Sequence, residues 1–377
     1  MVIDGSRVPR TGCAAVVLVL SAMACGCGDR SRPDSAAFVT PAQRDAALAS
    51  ARVWQQPPVA IAKADLGSNP RGDGSFNTTS DVECTFVTEH VGGSTRKFNC
   101  RLPDGEIVKV KYGASNAELP AETAATRLLS ALGFAADRMY VVHSVRCVGC
   151  PPFPFEALEC LQKTRVESAC LKGADPARAV SFDDAVIERQ IPGRRIAASP
   201  DQGWSWFELD RVDPTKGGAP RAHVDALRLM AVILAHWDNK AENQRLVCPP
   251  GQDARDGSCR VPLLAIQDLG ATFGPLKLDL PNWRRVPMWA NAAECRVSMK
   301  SLPYDGGTFP DHVISEEGRQ FTLDLLRQLS RAQIVRLFAE SGVTRFEQLS
   351  VESRHAERWA DAFEAKIAEL AAGGPCE

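Results

Sequence analysis

The sequence lacks an excess of either charge, because 44 lysines and arginines stand against 46 aspartates and glutamates, for a net charge of -2. Proteins that bind nucleic acid through its phosphates carry a concentrated positive patch, so we exclude nucleic acid as a partner. The sequence also lacks an internal repeat, a His-Glu-x-x-His, a Gly-x-Ser-x-Gly and a dinucleotide-binding glycine fingerprint. These absences exclude zinc peptidases, serine hydrolases of that type and nicotinamide-dependent oxidoreductases.

The apolar run near the N-terminus is short. Two arginines precede the apolar run at 13–24, which is too short to span a bilayer comfortably and predicts an export signal over 1–27. The small residues before Cys25 and before Cys27 resemble the bacterial lipoprotein box, in which the cysteine becomes the lipid-bearing first residue; a plain signal peptide is the alternative. We expect an exported lipoprotein, held at the membrane by its N-terminal lipid on the periplasmic or outer face of a bacterial cell envelope.

The remaining cysteines favour disulfide bonds. Three of the 13 cysteines lie in the first 27 residues, which leaves ten, and an even number in an exported chain is typical of disulfides. The sequence leaves the connectivity open, but the spacing proposes 84 with 100, 147 with 150, 160 with 170, 248 with 259, and 295 with 376. A zinc site is the alternative, because the first two of Cys147, Cys150, Cys160 and Cys170 have the spacing of a metal knuckle.

Composition divides the rest of the chain into three sections. Residues 28–80 are rich in Ser, Pro, Gly, Asp and Asn and predict a tether, interrupted by a possible helix at 42–54. Residues 81–192 predict a strand-rich first lobe with a cysteine-bearing insert. Residues 193–377 predict a second lobe that is mainly helical.

Strand patterns dominate the first lobe. The segments "DVECTFV", "TRKFNCRL" and "EIVKVKYG", separated by the turns "EHVGGS" and "PDG", predict a three-stranded meander. Cys84 and Cys100 are equidistant from Gly92, so a hairpin folded at this glycine places them opposite one another. "LPAETAATRLLSALG" (119–133) predicts a helix that ends at Gly133. "RMYVVHSVRC" and "AVIERQI" predict further strands.

The second lobe begins with "HVDALRLMAVILAHW" (223–237), which is apolar on most faces and predicts a buried helix. The strands "RLVC" and "VPLLAIQ" follow, with the insert "PPGQDARDGS" between them, and the C-terminus predicts three more helices. These patterns together predict an α+β protein with a small antiparallel sheet in one lobe and helices in the other.

The segment "HWDNKAEN" (236–243) follows that buried helix directly. It matches, position for position, the His-x-Asp-x-Lys-x-x-Asn of the protein kinase catalytic loop, and "DLG" at 268–270 resembles the Asp-Phe-Gly that comes after it in kinases. The sequence therefore resembles the protein kinase-like superfamily over about residues 80 to 370, and within it the atypical, secretory-pathway kinases or the lipid-kinase branch and bacterial relatives.

This resemblance implies a two-lobed protein kinase-like fold that binds ATP with Mg²⁺ or Mn²⁺ and transfers a phosphoryl group to a hydroxyl acceptor on a protein, a lipid or a sugar. Asp238 would accept or orient the acceptor's proton, and Lys240 would contact the transferred phosphate. Asn243 and Asp268 would share the metal ion, because oxygen ligands suit Mg²⁺.

The resemblance also makes demands on the first lobe. The turn at Gly92–Gly93 should cover the phosphates, Lys111 on the third strand should contact them, and Glu122 in the next helix should pair with this lysine. Lys109, two residues earlier on the same face of the strand, is the alternative to Lys111. Glu118, one helical turn earlier, is the alternative to Glu122.

Some features depart from the kinase pattern. Trp237 stands where regulated kinases carry an arginine that pairs with an activation-loop phosphate, so we do not expect that form of control. The chain lacks the full Gly-x-Gly-x-x-Gly and an Ala-Pro-Glu after "DLG", and the insert between Cys248 and Cys259 lengthens the interval to Asp268. The alternatives to a kinase are a non-catalytic pseudokinase binding module and transfer of AMP on the same fold.

Overall fold

The computed structural model describes residues 38–303 and 306–376, so the predicted signal at 1–27 and its two candidate lipid-bearing cysteines lie outside the described residues. Within the described ranges the strands are β1 (Asp81–Val87), β2 (Lys97–Arg101), β3 (Ile107–Lys111), β4 (Ala135–Ala136), β5 (Arg138–Val141), β6 (Ser144–Val148), β7 (Ala179–Asp183), β8 (Val186–Arg189), β9 (Arg194–Arg195), β10 (Gln244–Cys248), β11 (Leu263–Ile266), β12 (Arg296–Val297) and β13 (His312–Val313). The α-helices are α1 (Pro41–Ala49), α2 (Glu118–Ala131), α3 (Pro154–Thr164), α4 (Glu167–Cys170), α5 (Arg221–Leu234), α6 (Leu280–Trp283), α7 (Glu316–Leu326), α8 (Arg331–Glu340) and α9 (Ala356–Ala372).

The predicted meander is confirmed: β1, β2 and β3 are antiparallel neighbours. Successive side chains of a strand point to opposite faces of the sheet. Phe98, Val108 and Val110 therefore lie in a small apolar core on one face, while Lys109 and Lys111 lie on the other.

The sheet is wider than the meander, with seven strands in the order β5-β8-β3-β2-β1-β6-β7. The run 138–147, predicted as one strand, forms β5 and β6 at distant positions in this order. Between them, the backbone N–H of Val142 donates to Ala185 and that of His143 donates to Ser80, so the chain leaves one neighbour and joins another. The sequence carries no Gly, Pro or Asn to mark this break.

Helix α2 lies between two apolar cores. Leu119 packs with Met139 and Val186 of the sheet, whereas Leu128 and Leu132 belong to the large core of the helical lobe. The predicted stop at Gly133 is confirmed, because this residue has φ 93°. A Cβ atom at Gly133 would lie 2.2 Å from the carbonyl oxygen of Gln55, so only glycine fits.

The second lobe is mainly helical, as predicted, so the α+β class is confirmed. Helices α5, α7, α8 and α9 surround one large core that contains Trp283 and Trp359. Helix α5 ends at Leu234, three residues before the predicted end, because Ala235 adopts a left-handed conformation with φ 50°. A four-stranded sheet in the order β4-β11-β10-β9 lies beside this core.

The part of the expected tether that the structure describes is folded against the helical lobe from residue 38 to about residue 66. Leu48, Ala51 and Val53 are buried in its large core, and the buried Arg44 donates to Glu208 at 2.8 Å. The N–H of Gln55 also donates to Gly133. A polar composition suggested a linker here, but its scattered apolar residues are sufficient to attach the segment to the lobe.

All five proposed disulfides are present: Cys84–Cys100, Cys147–Cys150, Cys160–Cys170, Cys248–Cys259 and Cys295–Cys376. The alternative zinc site is therefore wrong, since its four sulfurs are bonded in pairs. The β1–β2 register pairs Phe86 with Cys100, so Cys84 reaches its partner diagonally rather than directly across the hairpin. Five disulfides are typical of an oxidising environment.

Within 38–303 and 306–376, no helix combines the length with the apolar character that crossing a membrane requires.

Candidate active site

The two segments proposed to hold the metal meet at the end of the β10–β11 pair. Gln244 of β10 lies opposite Ile266 of β11, so Asn243 and Asp268 flank the pair at the same end. The backbone N–H groups of Gln267 and Asp268 donate to the carbonyl oxygen of Asn243, at 2.8 and 3.3 Å. The antiparallel pairing therefore brings together two residues that the insert between Cys248 and Cys259 separates in sequence.

The side chain of Asn243 reaches back across the loop. Its Nδ2 donates to the backbone carbonyl oxygen of Asp238 at 2.6 Å, which fixes the orientation of the amide. Among the described residues no donor contacts its Oδ1. This oxygen is thus available to a ligand beside Asp268.

Asp268 lies in strongly positive surroundings. Burial alone would raise the pKa of this carboxyl, but the charges of Lys111, Lys97 and Lys109, together with the N–H of Gly270, lower its pKa well below the usual range. The Gly270 N–H donates to Oδ1 at 3.0 Å. Asp268 is therefore a carboxylate at any pH near neutrality.

Lys111 projects from β3 into the interior and is 0% exposed. Its ammonium forms an ion pair with Glu122 of α2, the pairing that the kinase resemblance implied, and a second one with Glu188 of β8 at 3.1 Å. Burial alone would lower the pKa of Lys111, but the two carboxylates raise it well above the ordinary value. The lysine is therefore positively charged.

The two alternative residues have other partners. Lys109 shares the face of Lys111, as expected, but it pairs with Glu188 at 2.5 Å. Glu118 accepts from Lys277 at 2.5 Å and from the Thr95 hydroxyl at 2.5 Å. Glu118 thus joins the loop after β1 and the segment that follows "DLG", and it does not contact Lys111 within ion-pair distance.

The glycine turn lies over a third lysine. Gly92 and Gly93 belong to the loop between β1 and β2, and Gly93 has φ 89°. A Cβ atom at Gly93 would lie 2.8 Å from the Nζ atom of Lys97. Among the described residues, no atom lies within 4 Å of the position that a Cβ would take at Gly92. Gly93 therefore leaves room for the Lys97 ammonium directly beneath the turn.

Asp238 and Lys240 lie on the loop that precedes Asn243. The Lys240 ammonium is 3.5 Å from Oδ1 of Asp238, and this oxygen accepts no hydrogen bond from the described residues. Both side chains are partly exposed. The Asp238 carboxylate therefore lies beside the Lys240 ammonium on a loop that is partly open to solvent.

Asn239, which the sequence reasoning missed, and Trp237 hold this geometry. Asn239 anchors the loop, since its Oδ1 accepts from the N–H groups of Thr308 and Phe309 at 2.7 and 3.0 Å. Trp237 donates from its indole to the carbonyl oxygen of Gly274 at 3.1 Å. Where regulated kinases have an arginine that needs a phosphate partner, this tryptophan contacts the segment after "DLG" directly.

Glu188 and Lys97 were also missed, although both leave a signal in the sequence. Glu188 is a carboxylate inside the apolar strand "AVIE", and Lys97 lies opposite Lys111 in the β2–β3 register. The meander was predicted, and counting outward from the "PDG" turn would have paired the two lysines.

No protein-family model matches the chain, and no curated protein matches it. One solved structure that is similar is a crystal structure of a Helicobacter pylori proinflammatory kinase, CtkA, with a TM-score of 0.41 and 10% sequence identity. The similarity covers 78% of this chain and 97% of that chain. A likeness of this size assigns no activity to this chain.

Proposed function

We propose that this protein is an exported, ATP-dependent phosphotransferase of kinase-like type that transfers a phosphoryl group to a hydroxyl acceptor. One observation carries the proposal. Asn243 and Asp268 converge at the end of the β10–β11 pair, and the Lys111–Glu122 ion pair stands close enough for the charge of Lys111 to lower the pKa of Asp268. Phosphoryl transfer depends mainly on such positioning of charge rather than on covalent chemistry by the protein.

The donor set fits a magnesium or manganese ion. Asp268 offers a charged oxygen with no ion-pair partner within 4 Å among the described residues, and Asn243 offers an amide oxygen beside it. Hard divalent cations prefer oxygen ligands of this kind. Bound there with ATP, the ion would neutralise charge on the phosphates.

The residues of the loop supply the acceptor side. Asp238, whose side chain is partly exposed, would accept the proton of the attacking hydroxyl, or orient that hydroxyl, with its carboxylate. Lys240, 3.5 Å from Oδ1 of Asp238, would contact the transferred phosphate. The acceptor is a hydroxyl of a protein, a lipid or a sugar.

We further propose that the chain is anchored in a bacterial cell-envelope membrane through a lipid on Cys25 or Cys27. The five disulfides support export. Mass spectrometry of the mature N-terminus tests the anchor. A first residue that carries no lipid would leave a plain signal peptide as the explanation of the sequence.

Activity is tested with the full-length chain in detergent and ATP labelled at either the α- or the γ-phosphate, with protein, lipid and sugar pools as acceptors. We expect Mg²⁺-dependent transfer of the γ-label, lost in Asp268→Asn and reduced at least about a hundredfold in Asp238→Asn. Transfer of the α-label would instead show AMP transfer. ATP binding without turnover in the wild type would show a pseudokinase binding module.

A further inference from the structure

Lys97 is a buried lysine that the proposed mechanism does not use. It begins β2, lies opposite Lys111 in the β2–β3 register, and is 5% exposed. Among the described residues no carboxylate lies within 4.0 Å of its ammonium, and it makes no hydrogen bond there. Burial of an ammonium without a partner costs free energy, so its retention calls for an explanation.

The charges around Lys97 are otherwise paired. Lys111 pairs with Glu122 and Glu188, and Lys109 also pairs with Glu188. Farther from β3, the ammonium of Lys277 pairs with the carboxylate of Glu118 at 2.5 Å.

Among the described charged residues around β3, one cation and one anion therefore have no partner within ion-pair distance. They are Lys97 and Asp268. Burial, together with the charge of Lys111, lowers the pKa of Lys97, and the charge of Asp268 opposes this shift. An arrangement of this kind suits a ligand that is itself a pair of opposite charges, such as a phosphate chain with its divalent cation.

The turn above Lys97 presents backbone rather than a side chain to the ammonium. Gly93 has no side chain, and a Cβ atom at this position would lie only 2.8 Å from the Nζ atom of Lys97. Both Gly92 and Gly93 are exposed. The ammonium therefore lies next to a bare stretch of backbone, on the strand position opposite Lys111.

We propose that Lys97 binds the polyphosphate of a nucleoside triphosphate, as a second lysine beside Lys111, beneath the Gly92–Gly93 turn. This inference rests on the function proposed above. Asp268 takes the metal ion and Lys97 takes a phosphate oxygen, so each unpaired charge gains its partner from the same ligand.

The test measures equilibrium binding of MgATP and of adenosine, by calorimetry, to the full-length chain in detergent. We expect Lys97→Met to weaken MgATP binding by about tenfold or more, because a charge-assisted hydrogen bond is lost, and to leave adenosine binding unchanged. Lys97→Arg, which keeps the charge, should recover part of the loss. Lys172→Met, which changes an exposed lysine of the cysteine-bearing insert, is the matched control and should bind both ligands as the wild type does.

Thermal unfolding without nucleotide separates ligand binding from a structural role. Removal of an unpaired buried charge should leave the melting temperature of Lys97→Met equal to that of the wild type or higher. A clearly lower melting temperature, or an equal weakening of adenosine binding, would make Lys97 a structural counter-ion and overturn the inference.

The remaining outcomes separate the two proposals. Wild-type binding of MgATP with unchanged binding by Lys97→Met would overturn the role of Lys97 alone. Failure of the wild type to bind MgATP would overturn the proposed function and this inference together.

Discussion

Replacement of Lys111 by methionine tests the buried charge network most directly. Lys111 and Glu122 are both fully buried, and Glu188 nearly so. After the replacement, Glu188 keeps Lys109 at 2.5 Å, but Glu122 keeps no cation within ion-pair distance among the described residues. Breaking a buried pair from one side costs about 3–5 kcal/mol of unfolding free energy, because a charge is left without compensation.

The assay is urea unfolding followed by tryptophan fluorescence, with the disulfides intact. Urea is uncharged and does not screen the network. The double variant Lys111→Met with Glu122→Gln removes both charges, so its stability should return to within about 1–2 kcal/mol of the wild type. Lys109→Met is the comparison on the same strand face, and it should cost only about 1–2 kcal/mol, since Glu188 keeps Lys111.

The pH dependence gives a second readout with a defined sign. In the wild type burial already raises the pKa of Glu122 to about 8, and the charge of Lys111 opposes this rise. In Lys111→Met that opposition is lost, so the pKa of Glu122 should rise further. Above about pH 8 the folded variant then keeps a proton that the folded wild type releases, so its stability relative to the wild type falls as the pH rises above about 8. The full cost is expected there, where Glu122 is ionised beside Lys111; a single variant within about 1 kcal/mol of the wild type above this pH, or no recovery in the double variant, would refute this reasoning.

Three further predictions follow from other parts of the structure. Glu118→Gln weakens the contacts of this residue with Lys277 and Thr95, so hydrogen exchange over 271–278 should accelerate by about tenfold, while exchange in α9 stays unchanged; equal exchange over 271–278 would contradict this role. Replacing Cys295 and Cys376 by alanine opens a loop of sequence separation 81 and should cost about 4–5 kcal/mol, against about 3 kcal/mol for Cys248 and Cys259 at separation 11; the reverse order in urea unfolding would count against the loop-entropy argument. Burial lowers the pKa of Lys366 to about 8, so between about pH 8 and pH 10 the unfolded chain binds more protons and the wild type should gain stability relative to Lys366→Met as the pH rises; a flat difference over this window would contradict that assignment.

The features that the sequence predicted correctly are determined by local patterns. The meander follows from alternation and turn residues, and helix α2 with its stop at Gly133 follows from helical periodicity. The cysteine pairs mostly follow from short separations. The loop 236–243 and Asp268 were singled out because their spacing along the chain resembles the kinase motif, and the pairing of β10 with β11 brings Asn243 and Asp268 to the same end.

What the sequence did not predict depends on contacts between distant segments. The break between β5 and β6 arises because the first part of one apolar run pairs with β8 and the second part pairs with β1 and β7. No residue within the run marks this change of partner. Residues 38–66 have the composition of a linker, yet Leu48 and Val53 find space in the core of the helical lobe. The partners of Glu118 were missed because Lys277 lies 159 residues away in the chain.

The short glycine turn and the buried Lys97 are best understood together. A full glycine-rich loop holds phosphates with several backbone N–H groups, and this chain carries only Gly92 and Gly93 at that position. A shorter turn offers fewer such donors, so a side-chain cation beneath it would compensate for the missing backbone donors. Gly93 then has a steric purpose, since any side chain there would compete with the Lys97 ammonium for the same space. With Lys97 in the role that we propose for it, part of the phosphate binding would move from the backbone of the turn to β2.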